Sequence, residues 1–185
     1  DDGLADQGVP SLAMPGERGD TTIDVKWKVP QEELPALMDR QMMRRVVINL
    51  VRNAAQAIRD ARGGGSKEGV LGHVEVSALR DGDGCVVVVE DDGPGIPDEV
   101  RARVFDPYFT TKSDGTGLGL AIVKKIVVEH GGSIEVRKST RLGGARFVLH
   151  LPSPRTLSLA AAARVARESQ LKNENISTER TSTPP

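Results

Sequence analysis

Val86-Val87-Val88-Val89-Glu90-Asp91-Asp92-Gly93-Pro94-Gly95-Ile96-Pro97 reads as a buried strand that ends in carboxylates and a glycine turn. Four consecutive β-branched residues favour a buried strand. Gly93 and Gly95, one residue apart, can take positive φ and present bare backbone to a flat ligand. Strand parity puts Val87, Val89 and Asp91 on one face and Glu90 on the other. Asp91 is therefore the carboxylate aimed at the core layer, and Asp92 is a turn residue. An Asp-Gly turn is common by itself; its meaning depends on what flanks it.

Upstream, residues 1–20 are rich in Gly, Pro and acids and read as a linker. From Thr21 to Val29 the chain alternates, with Ile23, Val25, Trp27 and Val29 on the buried face of a strand. A helix is expected from about Arg40 to Ala61, with Met43, Val47, Leu50, Val51, Ala54 and Ile58 as its apolar stripe. Beside that stripe Asn49, Asn53 and Gln56 stack on one face, a surface suited to a polar ligand or simply to solvent. Ala61 to Gly72, with Gly63-Gly64-Gly65-Ser66, reads as a loop. His73–Arg80 and Cys85–Asp91 then form a hairpin across Asp81-Gly82-Asp83-Gly84, with Val74, Val76 and Ala78 inward.

Downstream, Pro97-Asp98-Glu99 opens a short helix expected to end near Phe105. Phe105-Asp106-Pro107-Tyr108-Phe109 carries three of the chain's five aromatic residues. A polar, glycine-rich run follows and leads into a helix from about Leu118 to His130. A Gly-rich loop feeding a helix N-terminus is an anion site, because its unpaired N–H groups and the helix dipole both favour negative charge. The run has neither the βαβ frame of a dinucleotide fingerprint nor the GK[ST] of a P-loop. Strands Ser133–Lys138 and Ala145–Leu151 close the domain, with Ile134, Val136, Phe147, Leu149 and Leu151 inward. Ala160–Ala166 is expected to be a short helix and Lys172–Pro185 disordered, within a tail over residues 153–185.

At least five strands, most with one polar face, together with three helices, describe a two-layer α/β sandwich covered on one face. A net charge of −1 argues against a nucleic-acid binder. The single cysteine, Cys85, excludes an internal disulfide framework and reads as a buried, inert thiol. No apolar run is long enough to span a bilayer. The chain begins at Asp1, so it reads as a fragment of a longer protein, compatible with a membrane anchor elsewhere in the parent.

Four segments, in order and with their spacing, resemble the ATP-binding domain of bacterial sensor histidine kinases. Asn49-Leu50-Val51-Arg52-Asn53-Ala54 resembles the N box and Asp91-Asp92-Gly93-Pro94-Gly95-Ile96 the first glycine box. Phe105–Phe109 resembles the F box and Gly115-Thr116-Gly117-Leu118-Gly119-Leu120 the second glycine box. Gly143-Gly144-Ala145-Arg146-Phe147 is similar to a weaker last motif. The resemblance covers residues 21–152 and is nearest to nitrogen-regulation and dicarboxylate-sensor kinases. It implies a Bergerat fold: a mixed, mostly antiparallel sheet of about five strands with three main helices on one face.

The same resemblance implies the site. Asp91 would accept from the adenine amino group, with Gly93, Gly95 and Ile96 lining the base and Ala57 beside it. Asn53 would give an amide oxygen to Mg²⁺, supported by Asn49. Gly115, Gly117 and Gly119 would cradle the phosphates of ATP, with Thr116, Leu118 and Leu120 of the same run also in the nucleotide site. Thr111 and Lys112 would close over them as a lid, with Phe109 and Thr110 also in the nucleotide site and Lys112 stabilising the moving phosphoryl group or, alternatively, only solvated. Gln56 stands where many relatives carry Lys or His, so one cationic phosphate contact is either missing or supplied by Arg52.

His73, His130 and His150 lack the His-Glu or His-Asp helix context of a phosphoacceptor. The acceptor would then lie on a dimerisation domain outside this chain, with a response regulator receiver domain as the next partner. The reading is a cytoplasmic histidine kinase catalytic domain that binds Mg·ATP, without turnover when isolated, and contacts neither nucleic acid nor membrane. An anti-sigma-type protein kinase and an ATP-driven clamp are the alternatives; the clamp is disfavoured because Asn49 occupies the place of its glutamate base.

Overall fold

A computed structural model describes residues 21–63, 69–112 and 115–160 of the chain. The elements run β1 (Thr21–Lys28), α1 (Arg40–Arg62), β2 (Gly69–Asp81), β3 (Gly84–Asp91), α2 (Asp98–Arg101), α3 (Gly119–Glu129), β4 (Ser133–Lys138) and β5 (Ala145–Leu151). The strands form one sheet in the order β1-β2-β3-β5-β4. β1 and β2 pair in parallel through the α1 crossover, and the other neighbours are antiparallel. This is the expected mixed sheet with helices on one face. The linker at 1–20 and residues 161–185 of the tail lie outside the described residues.

α1 is defined at both ends. Asp39 Oδ1 accepts from Gln41 N at 2.7 Å and Met42 N at 2.9 Å, satisfying two of the first-turn donors. Gly63, at φ 64°, ends the helix and donates its N–H to Arg59 O at 3.1 Å. Between these caps Met43, Val46, Leu50, Val51, Ala54, Ala55 and Ile58 are buried. Val46 takes the central place in the stripe and Val47 is only half-buried. They pack on Ile23, Val25, Val74, Val76, Val89, Phe147 and Leu149 of the sheet and on Val123, Ile126 and Val127 of α3. Truncating a fully enclosed member such as Leu50 to Ala costs about 2–5 kcal/mol.

Three expectations change. β2 begins at Gly69, not His73, because Gly69–Gly72 pair in parallel with Thr21–Ile23; the triple glycine upstream had suggested loop as far as Gly72. α2 ends at Arg101 and buries no side chain, so the helix is one turn and does not reach Phe105. Phe105 turns inward instead and meets Phe147 edge-on, ring centroids 6.4 Å apart. Val29 lies past the end of β1 and is 51% exposed, while Trp27 packs against the core.

Residues 154–160 are helical. Ser153 caps that start, its Oγ accepting from Thr156 N at 3.1 Å, and Pro154 occupies the first helical position. Cys85 is buried at the head of β3, and burial pushes its thiol above the usual range, as an inert core residue should behave. Among the described residues no helix is long and apolar enough to cross a membrane.

Candidate functional site

Two clusters of sequence-selected residues lie along α1. The first surrounds the tip of β3. Asp91 is 3% exposed, and its Oδ1 accepts from Gly93 N at 2.9 Å and Ala145 N at 3.1 Å. Among the described residues Oδ2 receives no hydrogen bond, so one oxygen is fixed and the other remains an acceptor. Burial raises the Asp91 carboxyl above the ordinary range; the two N–H donors oppose that shift, and the charges of Asp92 and Glu90 add to it. Gly93 lies against Ile58 of α1, 3.3 Å from where its Cβ would stand. Gly95 sits at φ 76°, and Ile96 packs on the edge of the core.

Asp92 is more than a turn residue. Its Oδ1 accepts from His73 N at 3.0 Å, and Arg62 reaches it from the end of α1, 3.2 Å from Oδ2. These bonds tie the β3 turn to α1 and β2.

The second cluster is at the start of α3. Asn49 donates Nδ2 to Arg45 O at 2.9 Å, which leaves Oδ1 facing α3. A Cβ on Gly119 would stand 3.8 Å from Asn49 Oδ1 and 3.9 Å from both amide atoms of Asn53. Among the described residues no side chain caps α3, so N–H groups of its first turn are left without side-chain partners at the helix start that Asn49 and Asn53 flank. Amide oxygens beside unpaired N–H groups suit a hard cation that is otherwise ligated by phosphate and water. Leu118 precedes α3, and Leu120 packs on the core from its first turn. Asn49 and Ile58 are about 14 Å apart at the helical rise of 1.5 Å, a separation suited to an extended nucleoside triphosphate.

The connecting loop closes on itself. Tyr108, at φ 65°, donates its N–H to Gly117 O at 3.0 Å. Gly117, at φ 65°, lies so near that a Cβ there would be 2.7 Å from Tyr108 Cα. Thr110 Oγ1 accepts from Lys112 N at 3.1 Å, and Gly115 N donates to Lys112 O at 3.3 Å. Thr111 and Thr116 are exposed. Burial lowers the Lys112 ammonium, with the Asp60 charge opposing that shift. Phe109 packs on the core with the Arg103 guanidinium 4.8 Å from its ring centre, while Tyr108 is 77% exposed.

The polar face of Asn49, Asn53 and Gln56 continues along the helix to Asp60. Gln56 is exposed and donates to Asp60 Oδ1 at 2.8 Å, one turn further along the helix. Ala57 is half-buried beside it. Arg52 is exposed and lines an open cleft with Gln41, Arg44, Arg45, Ile48, Asn49 and Ile122, next to the asparagine cluster.

A family profile described as histidine kinase-, DNA gyrase B- and HSP90-like ATPase matches residues 38–155. The chain belongs to this ATPase family. Its relatives include the nitrogen regulation protein NtrY of Azorhizobium caulinodans, 41% identical over 128 residues, 66% of this chain and 16% of NtrY. The chain thus spans about a sixth of that relative's length. Among solved structures, the nucleotide-free catalytic domain of histidine kinase ThkA superposes with TM-score 0.58 at 33% identity, covering 71% of this chain and 80% of that one. Full-length ShkA in complex with AMPPNP gives TM-score 0.55 at 30% identity, covering 71% of this chain and 26% of ShkA. The ATPase family assignment and these kinase relatives agree with the resemblance read from the four boxes.

Gly144 and Ala145 are the site residues that sequence reasoning passed over. Their motif was recognised, but no role followed from it. Gly144 donates its N–H to Asp91 O at 3.1 Å, and a Cβ on it would overlap Asp91 and lie 2.7 Å from Gly93 N. A glycine pair just before a strand was the available signal; its partner, 54 residues away, was not.

Proposed function

We propose that this chain is the catalytic half of a two-component sensor histidine kinase: it binds Mg·ATP and presents the γ-phosphate to a histidine on another domain. The observation that carries the reading is Asp91, one oxygen held by Gly93 N and Ala145 N and the other left as an acceptor at the end of a glycine turn. The adenine amino group donates to that oxygen, while Gly93, Gly95 and Ile96 line the base and Ala57 borders it.

The phosphates extend along α1 toward Gly115, Thr116, Gly117, Leu118, Gly119 and Leu120, where α3's N–H groups and dipole favour negative charge. Asn53 and Asn49 supply amide oxygens suited to Mg²⁺. That ion, when bound, neutralises phosphate charge. Arg52 adds positive charge from α1. Phe109, Thr110, Thr111 and Lys112 cover the phosphates, and the Lys112 ammonium offsets charge on the transferring group. Residues 21–152 form the ATP-binding domain in this reading, with 1–20 a linker and 153–185 a tail.

The chain's own histidines are engaged elsewhere. His73 Nδ1 lies 3.1 Å from Asp24 Oδ2, and His150 Nδ1 lies 3.5 Å from Asp81 Oδ2. His130 Nδ1 meets Ile126 O at 2.7 Å, and its Nε2 accepts from Asp39 N at 3.1 Å. In this reading the acceptor imidazole lies on a dimerisation domain, and a response regulator receiver takes the phosphoryl group onward on the cytoplasmic side. ADP leaves as the phosphorus–oxygen bond breaks and the phosphorus–nitrogen bond forms.

Calorimetry with ATP on Asp91→Asn, alongside radiolabel transfer to an added phosphoacceptor domain, tests this. Asn can keep its oxygen toward Gly93 and Ala145 while turning an amide donor toward the base. Binding should be lost in a folded protein, and wild-type affinity would sink the assignment. Acid-labile label on the isolated chain, removed by replacing one of its histidines, would overturn the need for a separate acceptor.

A further inference from the structure

The face of the sheet opposite the helices carries a charge network that the proposed chemistry does not use. Glu75 of β2 and Glu90 of β3 are paired directly across the strands. Like charges in that relation repel, and Glu90 is 4% exposed, so little solvent screens it. Arg141, in the loop between β4 and β5, resolves the conflict. Its guanidinium donates to Glu75 Oε1 at 2.6 Å, Glu75 Oε2 at 3.1 Å and Glu90 Oε2 at 3.0 Å. Arg146, the cross-strand partner of Glu90, lies 3.0 Å from Glu90 Oε1, and Lys28 lies 3.0 Å from Glu75 Oε2. Ser139 Oγ donates to Glu90 Oε1 at 2.8 Å and accepts from Leu142 N at 2.9 Å.

The same loop supplies the groups that hold Asp91. Ser139 N donates to Gly144 O at 2.8 Å and Gly143 N to Ser139 O at 3.0 Å, which closes the loop as a unit. From its far end Gly144 N reaches Asp91 O and Ala145 N reaches Asp91 Oδ1, both at 3.1 Å. One end of a six-residue loop is drawn to Glu75 and Glu90 on the outer face, and the other end grips Asp91 on the inner face.

We infer that Arg141 and Ser139 are positioning residues for base recognition: by clamping the 139–144 loop to Glu90 and Glu75, they set the N–H groups that orient the Asp91 carboxylate. This rests on the reading of Asp91 as the acceptor for the adenine amino group. Neither residue touches the ligand. Their loss loosens the carboxylate and weakens discrimination between a base with an amino group at that position and one with a carbonyl.

The full chain is titrated with ATP and with ITP, whose base carries a carbonyl in place of the amino group, for the wild type, Arg141→Ala and Ser139→Ala. The Arg141 side chain is 45% exposed, so its truncation leaves the core intact. The ATP-over-ITP preference should fall roughly fivefold in each variant, the scale of one weakened hydrogen bond. The Ala145 amide proton should also shift in both. An unchanged preference in both folded variants, with Asp91→Asn still abolishing ATP binding, would overturn the inference and leave the Asp91 reading intact. ATP binding undiminished in Asp91→Asn would remove that reading, and the inference with it.

Discussion

Glu90 and Asp91 are neighbours in the chain and are 4% and 3% exposed, yet their carboxyl groups shift in opposite directions. Burial disfavours the charged form of both. On the outer face, bonds from Ser139, Arg141 and Arg146 and the Arg146 charge overcome burial, holding Glu90 below the ordinary range. On the inner face, the two backbone donors leave burial dominant, and Asp91 stays above it. Strand parity sends one carboxylate to guanidinium groups and the other to bare N–H groups. Deeper burial of the Asp91 carboxyl and different partners together give one saturated group, suited to holding structure, and one unsaturated group, suited to receiving a ligand.

The largest expected effect comes from attacking the contact that holds Asp91. In Gly144→Ala the new methyl overlaps Asp91 and crowds Gly93 N, so ATP binding should vanish in calorimetry. Overpacking should also lower stability by about 1–3 kcal/mol. Normal affinity in this variant would mean that Asp91 is not held from β5.

The direct comparison is Glu90→Gln against Asp91→Asn. Glu90→Gln leaves Arg141 and Arg146 facing a neutral amide and should lower unfolding stability by about 1–3 kcal/mol, with a partial effect on ATP. Asp91→Asn should lose the ligand while its unfolding midpoint stays near that of the wild type. Matching stability losses in denaturant melts would erase the distinction between the two carboxylates.

Acid should separate them again. Asp91, raised in the fold, takes up its proton at a higher pH than in the unfolded chain. Protonation there adds no instability but removes the acceptor, so ATP affinity falls first. Glu90, lowered in the fold, contributes stability above its unfolded value and loses it only as pH falls through its lower folded value. Calorimetry and circular dichroism over the same acid titration should therefore show binding lost while the fold persists; simultaneous loss would contradict this order.

Smaller effects belong to the phosphate end. Asn53→Ala should keep part of the nucleotide affinity and lose most of its Mg²⁺ dependence, measured with and without the ion. Gln56→Ala should change stability by no more than about 0.5 kcal/mol and leave ATP binding unaltered, because its amide is spent on Asp60.

Local order settled much of this protein. The alternation of Thr21–Lys28, the period of α1, the valines of β3 and the parity that selects Asp91 over Glu90 all depend on spacings of 2 and 3.6 residues, which a linear reading captures. The Asn49–Asn53 face and the one-sided sheet were legible for the same reason, whereas the mixed strand pairing came only with the family resemblance. The bond that occupies the Gln56 amide, to Asp60 one turn on along the same face, was not picked out by the linear reading. The start of β2 at Gly69 depended on a partner strand forty-eight residues earlier in the chain.

Only the tertiary structure brought Ala145 N to Asp91, Gly119 to Asn53, and Arg141 to two carboxylates that repel each other until the loop arrives. A backbone N–H looks alike at every position in a sequence, and a surface arginine carries no mark of its partner. Their roles come from distances across strands, set when one face of the sheet packs on α1 and α3 and the other is left to neutralise its own charge.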